Sequence, residues 1–169
     1  MTNILVVDDD ERLHGGLMRG FRTTRPTWNV TFAVSGEQAL AKFQRMNFDV
    51  LVTDMDMPGM DGATLLSNVA AKSPSTMRVA MSGRYDYLTT YSMTNCSHMY
   101  LAKPFQVPEL AEMIESALVV HRFELRRANI WLDDVYKNEG SPDVAKLSSD
   151  VRRRVNRERL KRLGVHLAE

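Results

Sequence analysis

Residues 50–54 read Val-Leu-Val-Thr-Asp, a mostly apolar run without polar alternation that ends in a carboxylate. Pro58 and Gly59 follow within a few residues and supply a turn. So short a run, bounded by a turn and rich in β-branched residues, fits a strand covered on both faces. A strand with one wet face would alternate. Burial on both faces requires a sheet with helices above and below it, and this requirement constrains the reading of the whole chain.

Ile4-Leu5-Val6-Val7 has the same character and runs into Asp8-Asp9-Asp10-Glu11. Leu13, Leu17 and Phe21 then recur at helical spacing, weakened by Gly15, Gly16 and Gly20 and stopped by Pro26. Trp28–Val34 reads as a second strand. Ser35 with Gln38 resembles a capping box, and Ala39, Leu40 and Phe43 give the next helix its apolar face. Phe48–Thr53 is strand three, delivering Asp54, and Leu65, Leu66, Val69 and Ala70 make a helix that stops before Pro74. Met77–Met81 is strand four, ending at Ser82-Gly83. Tyr85–Asn95 reads as a polar helix. His98–Ala102 is strand five, followed by Lys103-Pro104-Phe105, and a helix starts at Pro108 with Leu110, Met113, Ile114, Ala117 and Leu118 on one side. The expectation is an α/β fold, a five-stranded parallel sheet flanked by five helices.

In such sheets ligands sit beyond the carboxyl ends of the strands. Those ends supply Asp8 and Asp9, Asp54, Ser82 and Lys103. Alone, each has a bland explanation: a capping loop, a turn residue, a surface lysine. Together they suit phosphate chemistry. Carboxylates converging on one rim repel each other unless a cation intervenes, and oxygen-only ligands with open water positions suit Mg2+. An ionised Asp54 can then attack a phosphoryl group, Lys103 can supply positive charge, Ser82 can donate a hydroxyl hydrogen bond, and Gly83 leaves room.

The motifs ILVVDDD, VTDMDMPGMDG, MSG and YLAKPF, in this order, resemble the receiver domain of two-component response regulators over roughly residues 1–120. The resemblance implies a flavodoxin-like sheet of order 2-1-3-4-5 and a response regulator in a phosphorelay. Asp54 would accept a phosphoryl group from a sensor histidine kinase or phosphotransfer protein, making the chain a switch rather than an enzyme, beyond self-phosphorylation and self-dephosphorylation. It implies Mg2+ held by Asp9 and Asp54 directly, by Asp8 through water and by the carbonyl of Asp56. Lys103 and Ser82 would contact phosphoryl oxygens, Ser82 and Tyr100 would form the switch, Asp56 and Arg84 would set phosphate lifetime, and the Lys103–Pro104 bond would be cis. Trp28–Ala33 and HMYLAKPF further resemble receivers that precede HDOD or other HD-type outputs, although no HD or GYP motif is present.

With 44% hydrophobic and 25% charged residues, the chain is of ordinary globular composition, with no membrane span indicated. No secretory signal opens it, so the expected location is cytoplasmic. Cys96 alone forms no intrachain disulfide, and His14, His98, His121 and His166 lack zinc-ligand spacing. Charge divides the chain. Residues 1–120 carry 10 Lys and Arg against 13 Asp and Glu, for −3; residues 121–169 carry 12 against 8, for +4.

That division marks a receiver over 1–120 and a helical extension over 121–169, a helical hairpin or a truncated output or linker. The stripe Leu110, Ile114, Ala117, His121, Leu125, Ala128, Leu132, Val135 continues one helix to about Lys137. Its outer half, with Trp131, needs a cover: a second copy (a homodimer through helix 108–137), the next helix, or an output domain. After Ser141-Pro142 a basic helix carries Arg152–Arg154, Arg157, Arg159, Lys161 and Arg162. The basic tail 143–163 reads first as a solvated face, and as a nucleic-acid contact in the alternative that makes the protein a DNA-binding transcriptional regulator. A second alternative is a haloacid-dehalogenase-like phosphohydrolase, using Asp54 and Asp56 as nucleophile and acid and Asp133-Asp134 as metal ligands. Against it, Pro58 stands where a small hydroxyl residue is expected, and the stripe places Asp133-Asp134 inside a helix.

Overall fold

The computed structural model describes residues 1–83 and 97–122. The expected helix over Tyr85–Asn95, Arg84 and every feature of the tail past Arg122 lie outside the described residues. The elements in order are β1 (Thr2–Val7), α1 (Glu11–Thr24), β2 (Trp28–Ala33), α2 (Gly36–Phe43), β3 (Val50–Asp54), α3 (Gly62–Lys72), β4 (Met77–Ser82) and β5 (Met99–Ala102). A further helix, α4, is described over residues 107–122. The strands are all parallel, in order β2-β1-β3-β4-β5. The sequence expectation for the sheet therefore holds, and four of the five helices fall within the described residues.

Strand alternation sorts the core into two layers. Ile4, Val6, Val50, Val52, Val79 and Met81 face Leu17 and Phe21 of α1 and Leu110, Ile114 and Leu118 of α4. Leu5, Val7, Leu51 and Ala80 face Ala39 of α2 and Leu65, Leu66 and Val69 of α3. Every residue of β3 and β4 is buried, as continuous apolar runs demand.

Three helices begin on side-chain caps. Asp10 accepts from the Arg12 N–H, Ser35 from the Gln38 N–H and Asp61 from the Thr64 N–H. Helix α1 forms over 14 residues despite its three glycines. Packing overrides propensity there. A Cβ at Gly20 would lie 2.7 Å from the Val107 side chain, so the bare backbone lets α1 and α4 approach.

At the strand-start edge, α4 meets the segments that lead into β4 and β5. His121, buried, bonds the Ser75 carbonyl through Nε2 at 2.9 Å, and its ring meets that of His98 at 4.7 Å. His98 Nδ1 in turn accepts the Arg78 N–H at 2.9 Å. The compact unit that contains the sheet ends at His121.

Candidate functional site

The sheet register assembles the site. Val7 pairs with both Ala33 and Thr53, so the residues that follow β1 and end β3, Asp8 and Asp54, stand side by side. Pairing continues one step past the strands. The Asp8 N–H donates to Ala33, the Met55 N–H to Met81 and the Lys103 N–H to Ser82. Asp8, Asp54, Ser82 and Lys103 therefore share one rim, the one at the strands' carboxyl ends.

Lys103 joins the two buried acids. Its ammonium lies 2.8 Å from Asp8 Oδ2 and 2.6 Å from Asp54 Oδ2. Partial burial works against the charged lysine, but hydrogen bonds to Asp54 and then Asp8 outweigh it, and its pKa is raised above the ordinary 10.5. The Lys103–Pro104 bond is cis. Asp8 is 1% exposed and Asp54 8%, so these are charges in a low-dielectric rim rather than a wet surface pair.

Asp8, Asp9 and Asp54 bring carboxylate oxygens within 4.8 Å of one another. Asp9 is exposed, and Asp8 and Asp54 are buried. An all-oxygen donor set with one solvent-facing member fits a hard divalent cation that keeps waters. The exposed Asp56 follows on the β3–α3 loop, and its N–H reaches Asp54 Oδ1 at 3.3 Å. Ser82 is 1% exposed, and its carbonyl takes two hydrogen bonds, from the Lys103 N–H at 2.8 Å and the Tyr100 hydroxyl at 3.3 Å. The Tyr100 ring packs on the α2/α3 layer. Gly83 is open: a Cβ there would meet nothing within 4 Å.

Two contributors escaped the sequence reading. Gly62, the first residue of α3, presses its Cα face on the Asp54 backbone, where a Cβ would sit 2.2 Å from the Asp54 carbonyl oxygen. The Asp61-Gly62 pair, a cap followed by a glycine, was the available signal. His14 bonds the Asp8 carbonyl through Nε2 at 2.9 Å, and no motif marks it.

A family model described as the response regulator receiver domain matches residues 4–115. The chain belongs to this family. Among relatives of the receiver, the sensory transduction protein RegX3 of Mycolicibacterium smegmatis is 27% identical over 157 residues, covering 92% of this chain and 64% of its own length. The DNA-binding transcriptional regulator NtrC of Salmonella typhimurium is 30% identical over 128 residues, covering 75% of this chain and 27% of its own. The chain thus spans 64% or less of the length of these two relatives.

Among solved structures, the response regulator TrrA of Thermotoga maritima, in complex with Mg2+-BeF, superimposes with a TM-score of 0.63 at 27% identity, covering 69% of this chain and 98% of its own. The signal receiver domain of an HD domain-containing protein from Pseudomonas fluorescens Pf-5 gives 0.67 at 28% identity, covering 75% and 93%. The receiver assignment agrees with the motif resemblance and does not favour a dehalogenase-type hydrolase or a DNA-binding regulator. Among the described residues no helix is long and apolar enough to cross a membrane.

Proposed function

We propose that residues 1–120 form the phosphoacceptor domain of a cytoplasmic response regulator and that Asp54 takes a phosphoryl group from the phosphohistidine of a sensor kinase or phosphotransfer protein. The observation that carries this reading is the Lys103 ammonium held between Asp8 and Asp54, beside the exposed carboxylate of Asp9. Asp54 Oδ attacks phosphorus as the P–N bond to the donor imidazole breaks, leaving an acyl phosphate on Asp54. Lys103, already at Asp54, turns its ammonium to a phosphoryl oxygen and offsets the charge that gathers there. Asp8, Asp9, Asp54 and the Asp56 carbonyl would hold Mg2+, which when bound supplies positive charge to the phosphoryl oxygens.

The product is a state of the chain rather than a released compound, so the protein is a switch. Ser82 and Tyr100 read it out. The Tyr100 hydroxyl donates to the Ser82 carbonyl, so a shift of the Ser82 backbone towards the phosphoryl group would carry over to Tyr100. Residues 121–169 are a separate extension, and a compact unit ending at His121 supports that boundary. Val119 and Val120, exposed on α4, support a role for the segment 108–137 in self-association.

Incubation of the full chain with Mg2+ and acetyl phosphate tests the proposal. One stable phosphoryl mass increment, mapped to Asp54, is expected. Equal labelling of Asp54→Asn would refute it, and rapid turnover of unrelated phosphate esters would point instead to a hydrolase.

A further inference from the structure

The three carboxylates of the site are not held alike. Lys103 pins Asp8 and Asp54. Asp9 makes no hydrogen bond or ion pair among the described residues, yet its carboxylate stands within 4.8 Å of the other two. Its position therefore rests on the backbone that leads into it. A peptide unit is planar, so the Asp8 carbonyl and the Asp9 N–H turn together, and fixing one sets the direction in which Asp9 leaves the strand.

That peptide is fixed from the side of its carbonyl. The Asp8 N–H is tied to Ala33, and Asp8 Oδ1 accepts the Asp10 N–H at 3.0 Å. The Asp8 carbonyl is bonded by His14 Nε2 at 2.9 Å, and no other side chain among the described residues reaches it. A carbonyl only accepts, so Nε2 carries the imidazole proton in this contact. The ring is braced in turn. It lies on Phe32 of β2 with centroids 4.8 Å apart, and its own helix starts on the Asp10 cap.

We propose that His14 is a positioning residue that presents Asp9 to the divalent cation, acting through the Asp8 carbonyl. This rests on the metal-assisted reading above. The bond is worth most when the cation has to be gathered from dilute solution and least once the site is saturated. Loss of His14 therefore raises the Mg2+ concentration needed, with little effect on the chemical step at saturation.

The test is a Mg2+ titration of the full chain, followed by amide chemical shifts at the rim or by calorimetry, on wild type, His14→Leu, His14→Gln and Asp9→Asn. Leu keeps apolar contact with Phe32 but has no donor, whereas Gln keeps a donor at similar reach. We expect His14→Leu to bind Mg2+ about three- to tenfold more weakly, the loss of one ordinary hydrogen bond. His14→Gln should stay within about twofold of wild type. Acetyl phosphate labelling of His14→Leu at saturating Mg2+ should run at the wild-type rate. An unchanged midpoint in His14→Leu, or a Gln variant that falls as far as Leu, overturns the positioning role while leaving the metal reading intact. If Asp9→Asn binds as wild type does, the metal reading itself fails, and the role of His14 fails with it.

Discussion

Replacing Gly62 with alanine tests how tightly Asp54 is built into the fold. The new Cβ would lie 2.2 Å from the Asp54 carbonyl oxygen and 2.7 Å from Met55 Cα. An ordinary C···O approach begins at about 3.3 Å, so the shortfall is roughly 1 Å. Both obstructing atoms are backbone of a strand end that is buried and paired on both sides, and no side chain can rotate away. Helix α3 must instead retreat by about 1 Å, breaking the 3.2 Å bond from the Gly62 N–H to the Met55 carbonyl. Overpacking of this kind costs about 1–3 kcal/mol, and a lost hydrogen bond adds about 1 kcal/mol. The reduced freedom of the unfolded alanine chain returns about 0.5–1 kcal/mol.

A net loss of about 1–3.5 kcal/mol follows, or a fall in Tm of roughly 5–15 °C for a domain of this size. If Asp54 moves with the clash, a 1 Å displacement of the nucleophile slows labelling by acetyl phosphate by about 100-fold. Thermal denaturation by circular dichroism and intact-mass kinetics read the two effects on one preparation. A Gly62→Ala protein that melts within about 2 °C of wild type and labels at the wild-type rate would show the close approach to be inconsequential.

Gly16 makes the opposite case. A Cβ there meets nothing within 4 Å, so Gly16→Ala should stabilise α1 by up to about 1 kcal/mol and raise Tm by a few degrees, where a clash would lower it. Lys103→Met strands two carboxylates, and after allowance for the lysine's partial exposure it should cost about 1–2 kcal/mol in denaturant titration without Mg2+. The Lys103 pKa is raised on folding, so its contribution is complete below 10.5 and lost as pH rises through the higher folded value. The gap between wild type and variant should thus be equal at pH 7 and pH 9 and narrow only above that range; narrowing between 7 and 9 would contradict the assignment of the bridge. Chelation of divalent ions should abolish labelling of Asp54 and added Mg2+ should restore it, whereas undiminished labelling in chelator would remove the carboxylate cluster from the mechanism.

The strands and the acids at their ends were legible because their signals are local. Ile4–Val7 and Val50–Val52 have no polar alternation, and that alone demands cover on both faces. Asp8, Asp9, Asp54, Ser82 and Lys103 were readable as strand-end residues without knowledge of strand order; the order 2-1-3-4-5 came from the family resemblance. Residues whose role depends on how one element packs against another were hidden. Gly20 matters because Val107 arrives there, Gly62 because the Asp54 backbone does, and His14 because β1 ends beside its ring. His98 and His121 looked scattered and meet at one edge, beside the backbone of Arg78. Propensity misjudged α1 for the same reason, since its glycines weaken an isolated helix but admit a neighbour.

The described part of α4 runs from Val107, packed against Gly20 of α1, to the strand-start edge, where His121 meets Ser75 and His98. Its 16 residues span about 24 Å. The polypeptide therefore leaves this unit at the pole farthest from Asp54. Among the described residues, the acid cluster and residue 122 are separated by the height of the sheet and bridged by α4 and the strands it lies on. A partner that docks at the acid rim would thus meet one pole of the described unit while the chain continues from the other.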